Sequence, residues 1–118
     1  MELPRDAVLL RIFIGEADEL EKEQVYQKIV LKAREMNLAG ATVLRGPMGF
    51  GRSSHLHASS AFRVSTDLPI VIEIVDTEQK IQEFLVAVEN IVGAGLITLE
   101  KVQAIFYKAK PPSALEKK

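Results

Sequence analysis

Two short apolar runs, residues 7–14 (Ala-Val-Leu-Leu-Arg-Ile-Phe-Ile) and 70–75 (Ile-Val-Ile-Glu-Ile-Val), constrain most of what this chain can become. Each is rich in strand formers and too short for an ordinary helix, so each reads as a buried strand. Each carries one charge inside the run, Arg11 or Glu73. A guanidinium held in apolar surroundings needs an acid partner, and Glu73 is the candidate. Such strands are buried on one face and meet a polar contact on the other.

The runs are punctuated by helical patterns. Asp18 followed by Glu21 has the form of a capping box, after which Val25, Ile29, Ala33 and Met36 recur near helical spacing. This predicts a helix from just after Asp18 to about Met36, stopped by Asn37 and Gly40. Residues 41–44 start a second strand, and residues 57–65 read as the returning arm of a long hairpin. Asp76 followed by Gln79 repeats the capping pattern, and Ile81, Phe84, Leu85, Val88, Ile91 and Val92 give a second helix ended by Gly93 and Gly95. Residues 96–107 are the final strand or strand pair. The order is β-α-β, a long excursion, then β-α-β. That is the α+β ferredoxin-like plan, a four-stranded antiparallel sheet with two helices on one face. The uncovered face carries half of each apolar strand, which predicts oligomerisation through it.

A length of 118 residues suits one domain, expected to span 1–110 with a polar tail over 111–118. An apolar fraction of 47% with 26% charged residues is that of a globular protein. The net charge of −1 gives no general electrostatic case for nucleic acid. Cysteine is absent, which removes disulfides, thiolate catalysis and thiolate metal sites. No apolar run is long enough to span a membrane, and the first residues lack the basic-then-apolar form of a signal peptide, so a cytoplasmic location is expected.

Residues 45–57, Arg-Gly-Pro-Met-Gly-Phe-Gly-Arg-Ser-Ser-His-Leu-His, are the chemically distinctive stretch, with both histidines and three of the seven glycines. Backbone N–H groups exposed at Gly49 and Gly51 suit an anion, and Arg45, Arg52 and Lys101 are cations that can join them. The plain alternatives are a solvated hairpin loop, a strand-edge salt bridge for Arg45 and a solvated strand position for Lys101. His55 and His57 can face one side of an extended segment as metal ligands, with Asp67 or Glu73 as a third, or simply be solvated. No paired acids, serine-nucleophile motif or phosphate-binding fingerprint is present, so no enzyme is expected.

Gly49-Phe50-Gly51-Arg52, the histidines, Ser65-x-Asp67-Leu68-Pro69 and Glu73-Ile74-Val75-Asp76 together resemble the PII signalling-protein superfamily, and within it an uncharacterised PII-like branch. The resemblance runs from Val8 to Tyr107. It implies a homotrimeric regulator, not a catalyst, with adenine nucleotides in clefts between subunits and a mobile loop, 46–66, that contacts a transporter or enzyme. Arg45, Gly46, Gly49, Phe50, Gly51 and Arg52 would form the loop side of the cleft. Gly95 and Lys101 would belong to the loop after the second helix that closes over the ligand. The family's lysine after Leu-Pro is Ile70 here, two glycines are Thr98 and Glu100, and the C-terminal arginine pair is missing. Charge-assisted contacts contribute about 1.5–3 kcal/mol each, so these losses favour an AMP-like ligand over ATP. No obligatory cofactor is implied.

Overall fold

In the computed structural model of the protein the described residues are 5–51, the backbone of 57–58, and 67–108. The first apolar run becomes β1 (Arg5–Gly15), whose alternate residues Val8, Leu10, Ile12 and Ile14 are buried. A two-residue ribbon follows, β2 (Glu19–Leu20) with β3 (Glu23–Gln24), and then α1 (Val25–Glu35). Next come β4 (Thr42–Arg45), a second small ribbon of β5 (Met48–Gly49) with β6 (His57–Ala58), and β7 (Pro69–Asp76). The chain closes with α2 (Glu78–Val88) and β8 (Leu96–Ala104).

The main sheet has the order β4-β7-β1-β8 with every neighbouring pair antiparallel. This is the expected α+β ferredoxin-like arrangement. The alternation in β1 and β7 decides which way the sheet faces. Leu10 pairs with Ile74 and Ile12 with Ile72, and these side chains meet Ile29, Ala33, Ile81, Phe84 and Val88 from the helices. Each large side chain buried this completely contributes about 1.5–3 kcal/mol of transfer free energy. The opposite face carries Leu9, Arg11 and Phe13 of β1 beside Val75, Glu73 and Val71 of β7, with Leu44 of β4 next to Val71. Arg11 and Glu73 are direct cross-strand partners, with Nε donating to Oε2 at 2.8 Å. A second carboxylate, Glu100 of β8, accepts from Arg11 Nη1 at 3.1 Å. The hydrogen bond to Glu73 is the main reason the Arg11 guanidinium is held even more firmly protonated than usual.

Four boundaries differ from expectation. The first helix does not start after Asp18. Glu21 and Lys22 adopt φ of 55° and 68° and turn β2 back on β3, so the helix begins at Val25. Two successive positive φ values make the tight hairpin turn that glycine or asparagine usually signals, and neither is present there. Asp18 serves the turn instead, its side chain accepting from Gly15 N at 3.1 Å and its carbonyl from Val25 N at 2.8 Å. Lys28 of α1 lies 3.6 Å from the Glu21 carboxylate, tying ribbon to helix. The stop does fall at Asn37, at φ 59°, with Leu38 N bonded to Ala33 O and Asn37 N to Arg34 O, the Schellman pattern.

The second helix is capped by Thr77 and not by Asp76. Thr77 Oγ1 accepts from Lys80 N at 3.3 Å. Asp76 is buried and accepts from Thr77 N at 2.6 Å and Ala39 N at 2.8 Å, pinning the β7–α2 junction to the segment before β4. The helix stops at Val88, yet Ile91 and Val92 still pack on the core, which is why the periodic pattern ran on through them. The last strand ends at Ala104 instead of Tyr107. Residues 105–107 leave the sheet, and the Tyr107 hydroxyl donates to Ala39 O at 2.8 Å.

Candidate functional site

The distinctive stretch lies at the end of the sheet where β4 finishes and β7 begins. Gly46 N donates to Pro69 O at 2.8 Å, so the connection leaves and re-enters the sheet at one point. A Cβ on either Gly46 or Gly49 would stand 3.0 Å from Pro69 Cγ, a close approach that only glycine makes without displacement. Beyond it, Met48 pairs with Ala58 and Gly49 with His57, so the expected hairpin starts as a short ribbon. Phe50 and Met48 project as exposed apolar side chains, and no described residue lies within 4 Å of where a Gly51 Cβ would stand.

The turn after β1 supports this base. Glu16 N donates to Leu68 O at 2.9 Å and Ala17 N to Asp67 Oδ1 at 2.9 Å. A Cβ at Gly15 would come within 2.5 Å of that same Asp67 oxygen. Arg45, the last residue of β4, donates from Nη2 to Glu16 Oε2. The Glu16 side chain is only 15% exposed, so its carboxylate is held against the strand ends while the arginine reaches toward solvent. Arg45 is therefore the strand-edge ion pair of its plainer reading. Glu16 was missed because nothing in the sequence marks a residue that acts only through a fold-specific turn.

Gly95 borders the same end of the sheet from the opposite edge. Its φ is +155°, and a Cβ there would meet Phe13 O at 2.5 Å. Three strand spacings of about 4.8 Å separate β4 from β8, roughly 14 Å across the sheet. Lys101 is not in the loop after the second helix. It is an exposed residue within β8, paired with Val8 and about 20 Å along the strand from Gly95 at about 3.4 Å per residue. Among the described residues, one chain thus does not bring the loop-side and β8-side groups together. Ile70 is buried in the core at 1% exposure, facing the helices.

Arg52 and His55 lie outside the described residues, as does the His57 side chain, and so does the return of the hairpin over 59–66. The proposed third metal ligands are committed elsewhere: Glu73 binds Arg11 on the open face, and Asp67 accepts from Ala17 N. No group of three potential metal ligands forms among the described residues. At the other end of the sheet, a cavity of about 710 Å³ opens between the sheet and residues 105–107, lined by Leu9, Thr42, Glu73, Val75 and Tyr107. No residue pattern marks it, because it exists only where the chain turns back across the open face.

The fold is that of PII-like proteins. CPII from Thiomonas intermedia K12, a nitrogen regulatory PII-like protein solved with ADP, AMP and bicarbonate, superimposes with a TM-score of 0.65 at 14% identity, over 85% of this chain and 89% of its own. The divalent ion tolerance protein CutA1 from Ehrlichia chaffeensis has the same layout, with a TM-score of 0.54 at 10% identity over 86% of this chain and 84% of its own. The chain itself belongs to the family described as Uncharacterized ACR, COG1993 (DUF190), which matches residues 7–104. A UPF0166 protein of Aquifex aeolicus is 41% identical over 100 residues, covering 83% of this chain and 92% of the relative.

Proposed function

We propose that this chain is a PII-like regulatory protein, acting as a cytoplasmic homotrimer that binds a small adenine nucleotide between subunits. One subunit offers Arg45, Gly46, Gly49, Phe50, Gly51 and Arg52, and the next offers Gly95; Lys101, about 20 Å along β8 from Gly95, lies too far away to share that contact. The observation that carries this reading is the placement of Arg45, Gly46 and Gly49 at one edge of the sheet and of Gly95 at the same end of the opposite edge, which supports a site shared between two copies. The apolar open face, with Leu44, Val75 and Leu96 exposed, is a surface that assembly would cover. The connection 46–66 then reports occupancy to a partner, a transporter or an enzyme, and the protein itself catalyses nothing. Residues 1–110 form the binding domain and 111–118 a polar tail. Among the described residues no helix is long and apolar enough to cross a membrane.

AMP-like ligands are favoured over ATP because described cations near the loop base are few. Arg45 is neutralised by Glu16, and the side chain after Leu68-Pro69 is an isoleucine inside the core. Light scattering is expected to give a trimer, and calorimetry to give tighter binding of AMP than of ATP. A stable monomer, or micromolar ATP binding without AMP binding, overturns the reading. The likeness to CutA1 supports a second reading, in which His55 and His57 bind a divalent metal. Stoichiometric zinc or copper in the purified protein, lost in the His55→Ala/His57→Ala double variant, is its signature.

A further inference from the structure

We infer that Glu16 is a specificity-determining residue of this cleft, an internal carboxylate that occupies Arg45 and selects against highly charged phosphates. The inference rests on the nucleotide-binding reading and adds a determinant outside the stretch that carries it. Three observations combine. The Glu16 carboxylate is paired with Arg45 and mostly shielded from water, so it acts as a fixed negative charge at the loop base and is poorly screened. Its backbone is held too: Glu16 N bonds to Leu68 O, and Glu16 O accepts from Gln24 Nε2 at 3.4 Å. Neighbouring Ala17 N is fastened to Asp67, so the turn holding Glu16 is fixed to the strand that closes the connection.

A guanidinium has five N–H donors. An incoming phosphate can therefore use the outward side of Arg45 without expelling Glu16, provided that it brings little charge. Each added phosphate group raises the repulsion from Glu16 while the attraction of Arg45 stays already half-spent on its partner. Selectivity for a monophosphate over a triphosphate then follows from one acid–base pair on the scaffold, independently of the cations that this chain lacks elsewhere.

Calorimetry of AMP and ATP with the full chain, the isosteric Glu16→Gln variant and the charge-retaining Glu16→Asp variant tests this. Glu16→Gln is expected to tighten ATP at least about fivefold more than AMP, within the range typical of coupled sites. The gain should shrink as sodium chloride is raised, and Glu16→Asp should keep the wild-type preference. A role confined to holding the turn would lower both affinities together and leave their ratio unmoved. Nucleotide binding with an unchanged ATP-to-AMP ratio in Glu16→Gln, at matched thermal stability, overturns the inference and leaves the nucleotide reading standing. ATP binding that appears only in Glu16→Gln supports it. No binding of any nucleotide by wild type or variant overturns both.

Discussion

Gly95 offers the sharpest test of how the β8 edge is built. Its φ of +155° lies where side chains are rarely accommodated, and such backbone costs a non-glycine residue about 1–3 kcal/mol. An alanine Cβ would also sit 2.5 Å from Phe13 O and 3.0 Å from Ile14 Cγ2. The first of these is backbone of the central strand, which cannot swing aside, and overpacking of this kind adds about 1–3 kcal/mol. Against this, losing a glycine stabilises by about 0.4–1 kcal/mol through the unfolded chain. The balance for Gly95→Ala is a loss of about 1–5 kcal/mol, equivalent to roughly 4–20 °C in Tm for a domain of this size. Gly93, two residues earlier, has no described residue within 4 Å of its missing Cβ, so Gly93→Ala should be neutral or slightly stabilising. Urea melts of both variants at one fixed protomer concentration make the comparison, because assembly would make stability concentration-dependent. Equal midpoints for the two variants would refute the close approach of this loop to β1.

Two further outcomes follow from the junctions and the open face. Thr77→Ala should cost about 1 kcal/mol, the ordinary value of a lost N-cap, while Asp76→Ala should cost about 1–3 kcal/mol more because two part-buried backbone N–H groups lose their acceptor; denaturant titration that ranks them in the reverse order would refute the pinning role of Asp76. Arg11→Glu places three carboxylates together in the middle of the open face, so light scattering should show the proposed oligomer dissociating at low salt and partly recovering at high salt, whereas an unmoved oligomer would mean that this face is not the interface.

The parts of this fold that could be read from the chain are those where one local signal had no competitor. Residues 70–75 admit little but a strand, and Glu73 within them pointed to Arg11, which is its cross-strand partner. Asn37 stops α1 as its tolerance of left-handed backbone suggests. The misreadings arose where tertiary context chose between equal local options. Asp18 and Glu21 fit a capping box, yet the chain needs a turn that returns to Leu68 before its helix, and Asp18 caps that turn. Asp76 and Thr77 both suit an N-cap, and burial of Asp76 beside Ala39 decided between them. At the candidate site the glycines were visible, but their reason, Pro69, was distant in sequence. Glu16 was invisible for the same reason. That Gly46 and Gly49 fall at one sheet edge and Gly95 at the other is a property of topology, and residue types carry no trace of it.

Pro69 has one more effect. The connection that begins at Gly46 is stitched to its own return point by the bond to Pro69 O, and the turn at Ala17 secures Asp67 just before it. The sheet therefore senses only where this excursion starts and finishes, and not how long it is. Doubling the length of such a closed excursion costs only about 0.6 kcal/mol in chain entropy. A change in the length of this connection is therefore expected to leave the end of the sheet around Gly46 and Pro69 as it is. The same property makes this point a natural graft site: a foreign peptide inserted between Gly51 and Asp67 should be displayed without unsettling the core.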